Sequence, residues 1–178
     1  MSTSYDQKGS VQTDPLSGEY ISGLYGYAMI LARNHAEAED LVQETYVRAI
    51  PALGRLRPES NIKAWLFKIL RNIWLNQLRK RRNDPPIVPA DEEIGSLDNL
   101  VNPGKTSYEI YAGEVERRRV RAAIQELPME SREIILLREF EELSYQEIAG
   151  LLGCPQGTVM SRLARARSKL RTLLAGDQ

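Results

Sequence analysis

The chain is poor in the side chains that most protein chemistry depends on. Its 178 residues include one cysteine, Cys154, and one histidine, His35. A single cysteine excludes an intramolecular disulfide framework and any cysteine-cluster metal site. A single histidine excludes multi-histidine metal centres, and both residues read as structural. Aromatics make up only 7% of the chain, and Val, Ile and Thr form no alternating runs, so an all-β sandwich or barrel is not expected. Long apolar stretches are also missing. Runs such as Ile134–Leu137 and Ala28–Ala32 fall far short of the roughly 20 residues a membrane-spanning helix needs. Met1–Asp14 is polar and lacks the apolar segment of a secretory signal. No Gly-rich phosphate loop, Ser-His-Asp set or Cys-His pair can be assembled. These gaps point to a cytoplasmic protein with no catalytic residues, no metal and no cofactor.

What the chain does have is charge, unevenly placed. Lys+Arg and Asp+Glu balance at 24 each. By segment, however, the net charge is −4 over 1–53, +8 over 54–82, −6 over 83–114, −1 over 115–142 and +3 over 143–178. Two basic blocks separated by an acidic one suggest two contacts with a polyanion. Residues 83–104 hold four of the nine prolines, two glycines and five acids. Pro85, Pro86 and Pro89 do not belong in a helix interior, and no period is sustained. Patterns of helical period flank this stretch. The expectation is all-α: a tail over 1–15, a helical domain over 16–82, a flexible acidic linker over 83–114 and a second helical domain over 115–174.

In the first domain, Tyr20, Leu24, Ala28 and Leu31 recur at helical spacing. A second helix near Ala36–Ile50 has an apolar stripe of Ala38, Leu41, Val42, Thr45 and Ala49. Glu37, Asp40 and Glu44 share its opposite face. A third, near Asn61–Arg82, has Ile62, Trp65, Leu66, Ile69 and Ile73 as its buried stripe. It carries seven cations, Lys63, Lys68 and Arg71 among them, and no acid. A solvated face, a duplex-phosphate contact and single-strand recognition are all open to it. The last draws on Asn72, Asn76 and aromatics interleaved with the cations. Trp65 is expected in the core, and Trp74 to be packed rather than stacking.

The second domain ends in the most specific pattern. Ser144-Tyr-Gln-Glu147 is a capping box. Gly153 suits the positive φ of a turn, and Pro155 suits the start of a helix. A basic helix follows, with Val159, Leu163, Ala166 and Leu170 inside. With small Ala149 at the crossing, this describes a helix-turn-helix whose second helix enters the major groove. An ordinary αα-hairpin with a solvated basic face is the alternative.

Three segments now carry a family resemblance, in order along the chain. Ala38-Glu-Asp-Leu-Val-Gln-Glu-Thr-Tyr-Val-Arg-Ala49 resembles region 2.2 of bacterial sigma factors. Asn61-Ile-Lys-Ala-Trp-Leu-Phe-Lys-Ile-Leu-Arg-Asn72, with Asn76 and Arg79, resembles regions 2.3–2.4. Leu127-Pro128, Ser131-Arg132-Glu133, Leu143–Ala149 and Gly157–Arg167 resemble region 4. The small extracytoplasmic-function (ECF) group has only these two domains and a linker. Glu142 stands where a glycine is common, and Asn76 where an aspartate is common.

The resemblance implies a promoter-specificity subunit of RNA polymerase. Its core-binding surface would be Asp40, Gln43 and Glu44, beside Glu37, meeting the coiled coil of the largest subunit. A flap contact is implied as well. The loop Leu56–Asn61, with Arg57 and Ser60, would capture a flipped base of the minus-ten element. Asn72, Asn76, Arg79 and Lys80 would line the melted strand, with Lys63 and Lys68 adding charge. Gln156, Thr158, Ser161, Arg162 and Arg165 would read the minus-thirty-five duplex. The implied partners are core polymerase, promoter DNA and an anti-sigma factor, with no membrane insertion. The competing reading is a free-standing helix-turn-helix regulator that binds duplex without polymerase. A further expectation is that the two basic domains pack together until polymerase separates them, so that the free chain binds promoter duplex poorly.

Overall fold

The computed structural model describes residues 18–83 and 107–176, and among them every regular element is helical. The first half is a three-helix bundle. Helix α1 (Glu19–Ala32) ends at Arg33, whose φ of 58° takes it into the left-handed region. Helix α2 (His35–Ala49) starts at once, because the Asn34 side chain accepts a hydrogen bond from the Glu37 N–H at 3.1 Å. Such a cap is worth about 1 kcal/mol. The α2 stripe read from sequence is buried in full: Ala38, Leu41, Val42, Thr45 and Ala49. The Thr45 hydroxyl is satisfied by donating to the Leu41 carbonyl at 2.6 Å. A 3₁₀ helix over Ile50–Arg55 leads to the loop before α3 (Ile62–Asn83). Asn61 caps α3, accepting from the Ala64 N–H at 3.2 Å. Tyr27 and Phe67 stack at 5.2 Å at the centre of this bundle.

The second half begins with α4 (Ser107–Glu126). Residues 107–114, expected in the linker, are therefore helical, and α4 runs on unbroken to Glu126. Residues 84–106, the rest of that linker, and the tail before residue 18 lie outside the described residues. Pro128 turns the chain into α5 (Met129–Ile135), which runs on as a π-helical turn over Leu136–Phe140. Arg132 fastens this corner. Its guanidinium is buried and donates to the carbonyls of Gln125 at 2.6 Å and Leu127 at 3.1 Å. Burial lowers the Arg132 pKa, with neighbouring Arg33 acting in the same direction. Glu142 takes φ 56°, which accounts for the glycine common at that position. Arg138 then closes the loop, donating to the Leu143 carbonyl at 2.8 Å and lying 4.9 Å over the Tyr145 ring.

Helices α6 (Tyr145–Leu152) and α7 (Gln156–Ala175) pack on each other and on α5. Both arms of the capping box form. The Ser144 N–H donates to Glu147 at 2.7 Å, and the Glu147 N–H donates to the Ser144 hydroxyl at 3.2 Å. Gly153 has φ 67°, as the turn requires. The two halves share one continuous core, in which α1 lies on α5 and α3 on α6.

Candidate nucleic-acid interface

Three surfaces carry the residues singled out from sequence. The first is the acidic face of α2. Asp40 is exposed, Glu44 pairs with Arg48 at 2.6 Å, and Glu37 reaches across to Arg81 of α3 at 3.0 Å. Glu37 is thus engaged within the bundle. Asp40, Gln43 and Glu44 line a groove with Val47, Ile73, Asn76 and Lys80. Val47 is 60% exposed, and Ile50 beyond it is also open. Sequence patterning did not single out these two apolar side chains, because each falls off the buried stripe without breaking it.

The second surface belongs to α3. Lys68, Asn72, Asn76 and Lys80 follow at four-residue spacing and are all exposed, so they form one stripe. Its C-terminal end adjoins the α2 groove. Arg79 donates to the Asn76 side-chain oxygen at 3.3 Å. At the other end, Leu56, Ser60, Ala64, Trp65 and Lys68, facing Glu147, Gly150 and Leu151 of α6, line an open recess of about 240 Å³ between the halves. Trp65 is half-buried: it packs against the core, as its place on the stripe suggested, and its open side forms a wall of this recess. Trp74 is packed against the core, as expected. Lys63 points elsewhere. It leaves the exposed stripe and meets Glu141 of the second half at 2.8 Å.

The third surface is the outer face of α7. Gln156, Ser161 and Arg165 are exposed, while Thr158 and Arg162 are half-buried at its flank. The Ser161 hydroxyl donates to the Thr158 carbonyl at 3.0 Å, and Arg165 Nε to the Ser161 carbonyl at 3.3 Å. Met160 stands among them, 54% exposed. A cationic and polar helix face presented by a fixed turn is the geometry that enters a major groove.

Family comparison decides among the readings. The "Sigma-70 region 2" model matches residues 16–83, and "Sigma-70, region 4" matches residues 117–170. The chain belongs to the ECF group of the sigma-70 family. It is 37% identical over 170 residues to the ECF RNA polymerase sigma factor EcfG of Rhodopseudomonas palustris, covering 93% of this chain and 88% of that protein. It is 33% identical to the RNA polymerase sigma-H factor of Pseudomonas aeruginosa, over 88% of this chain and 83% of that one. Among solved structures, the sigma factor RpoE of Bartonella quintana, in complex with the anti-sigma factor NepR, matches with a TM-score of 0.65 and 31% identity. That match covers 90% of this chain and 94% of that one.

As a sigma factor, the chain binds core RNA polymerase and directs promoter-specific initiation. The free-standing regulator is not favoured. Sigma factors are regulatory subunits without catalysis of their own. None of the helices among the described residues is long and apolar enough to cross a membrane.

The sigma factor also holds a polar cluster that sequence reading missed. Glu133 of α5 is 4% exposed and accepts from the Tyr27 hydroxyl at 2.7 Å and from Arg71 Nε at 3.0 Å. Burial, and then Glu133 beside it, pushes the Tyr27 hydroxyl well above its ordinary pKa. The Asn61 amide donates to Glu147 at 2.6 Å. Burial alone would raise Glu147, but hydrogen bonds from Ser144 and Asn61 outweigh it and hold that carboxyl below its ordinary value. These partners are 62 to 106 residues apart in sequence. Glu147 was visible only as a cap, and nothing in the local pattern points to its second bond.

Proposed function

We propose that the sigma factor divides its work among these three surfaces. Asp40, Gln43 and Glu44, with Val47 and Ile50, meet the coiled coil of the largest polymerase subunit. The loop 56–61 and the Lys68–Asn72–Asn76–Lys80 stripe take the melted minus-ten strand. The outer face of α7 reads the minus-thirty-five duplex, and a flap contact holds that half on the enzyme. On this division, 16–82 is the core-binding and melting domain and 115–174 the duplex-reading domain. The observation that carries it is the α3 stripe: one exposed row of amides and cations, Lys68, Asn72, Asn76 and Lys80, running from the end of α3 beside the loop 56–61 to the acidic groove of α2. Amides suit exposed base edges and cations suit phosphates. An anti-sigma factor is a partner, as NepR is for the Bartonella protein. The chain works in the cytoplasm and is not itself an enzyme.

The test is run-off transcription with core polymerase on two templates. On ordinary duplex, Asn72→Ala and Asn76→Ala keep upstream footprinting and lose permanganate reactivity of unpaired thymines. On a template mismatched across the start region, much of their lost activity returns. Arg162→Ala and Arg165→Ala lose upstream recognition, by about 1–3 kcal/mol for a bidentate base contact, and gain less from the mismatch. An identical response of both sets overturns the division of labour.

A further inference from the structure

Exposed apolar side chains are ordinary when scattered over a surface. Met160 has a particular place. It stands in the second turn of α7, 54% exposed, on the face that carries Gln156, Ser161 and Arg165. The other exposed residues of 156–165 are polar or small. Its neighbours at i−3 and i+4 are Gly157 and Ala164. A Cβ on Gly157 would meet nothing within 4 Å, so the space beside the thioether is open on that side. A recognition helix touches base edges through its N-terminal residues, and Met160 is among them.

The base edges of the major groove carry hydrogen-bond donors, acceptors and one apolar group, the C5 methyl of thymine. A thioether has no donor and only a weak acceptor. Against an amino or carbonyl group it strips water and returns no good hydrogen bond. Against a thymine methyl it buries carbon on carbon and strands nothing. Its unbranched chain and polarisable sulfur let it follow where the methyl lies. We infer that Met160 reads a thymine methyl in the minus-thirty-five duplex. It fixes one A·T pair, and the strand that holds the thymine, while Gln156, Ser161 and Arg165 make the polar contacts. The inference rests on α7 being the duplex-reading helix, so its test must separate the two.

The probe is duplex DNA randomised across the minus-thirty-five window and selected by holoenzyme made from the full-length chain and core polymerase. The selected element must contain an A·T pair. Each of its thymines, on either strand, is then replaced singly by deoxyuridine, which keeps the pairing groups and lacks only the methyl. Occupancy is read by quantitative footprinting of the upstream element. At one thymine the parent holoenzyme should lose on the order of 4-fold in affinity, the worth of about one carbon group taken out of water. Met160→Ala should bind the thymine duplex more weakly than the parent and be indifferent to deoxyuridine at that position. Met160→Leu should keep part of the sensitivity. Met160 is exposed and alanine favours a helix, so the variants keep the fold.

A selected element without an A·T pair overturns the inference. So does a parent indifferent to every replacement, or a Met160→Ala holoenzyme as sensitive as the parent. Arg165→Ala on the same duplex reads the role of α7 separately. A loss of footprint there, with methyl sensitivity unchanged by Met160→Ala, condemns the methyl contact alone. No loss from either Arg165→Ala or Met160→Ala removes α7 as the duplex reader, and the methyl contact with it.

Discussion

Tyr27→Phe isolates one bond of the contact between the halves. The Tyr27 hydroxyl is fully buried and donates to Glu133 at 2.7 Å, across 106 residues of chain. Phenylalanine keeps the ring, its burial and its stacking on Phe67. Only the hydrogen bond is lost. A bond to a charged acceptor is worth about 1.5–3 kcal/mol. Arg71 still holds the same Glu133 oxygen at 3.0 Å, so the carboxylate is not orphaned and the low end applies, about 1.5 kcal/mol. The loss falls on the closed arrangement, because on opening the hydroxyl meets water. At 1.4 kcal/mol per factor of ten, the closed-to-open ratio falls by roughly 10-fold. Trp65, on the wall of the recess between the halves, is the reporter. Its emission in a Trp74→Phe background is followed through a urea titration of each protein. The variant's first transition should move to lower urea. An unchanged midpoint would refute the placement of this hydroxyl in the contact. A loss well above 3 kcal/mol would refute the claim that Arg71 keeps Glu133 paired.

Asp40→Lys/Glu44→Lys should weaken co-purification with core polymerase by a large factor, since juxtaposed like charges cost several kcal/mol at an interface. Helicity by circular dichroism stays unchanged, because both positions lie on the outer face and the Glu44–Arg48 pair is an exposed one of little worth. Glu142→Gly relieves a left-handed residue at φ 56°. That conformation costs about 1–2 kcal/mol outside glycine, partly offset by glycine's freedom in the unfolded chain. A melting temperature a few degrees higher by calorimetry is the expected result. Because the Glu147 pKa is lowered on folding, its contribution is complete above the ordinary value of 4.5 and is lost as pH falls through the native value. Urea midpoints taken from about pH 6 to pH 3 should fall more steeply for the parent than for Glu147→Gln.

Local signals were legible in the sequence, and their legibility follows from their range. The α2 stripe needs only a period of 3.6. The box Ser144–Glu147 and the turn at Gly153 need only a few neighbouring residues. Glu142 was marked by the glycine it replaces, and its positive φ gives the reason. Where reading failed, the deciding contact lay far off in sequence. Residues 107–114 read as linker because acids and small residues hide a helix whose C-terminal part packs on α7 through Arg119 and the Leu174 carbonyl. Trp65 read as core and does pack there, but periodicity assigns only a face and gives no sign of the recess that its open side lines. Lys63 read as one more strand cation because its angular offset from Lys68 matters only once a second domain stands beside it. Of the candidate site, the residue types and faces were readable. The pairing of those faces with Glu133, Glu141 and Glu147 was not, because a glutamate on a helix gives no local sign of a partner beyond its own turn.

The closed contact joins two parts of one covalent chain, and its strength therefore does not depend on how much of the protein is present. An inhibitor supplied as a separate molecule is stoichiometric: once the target outnumbers it, the surplus is uncovered. A tethered cover meets its target at a fixed local concentration set by the chain itself. Dilution does not loosen it, and overproduction does not outrun it. Raising the dose of this sigma factor should therefore leave the bonds of Glu133, Glu141 and Glu147 to α3 and its cap in place in every free chain.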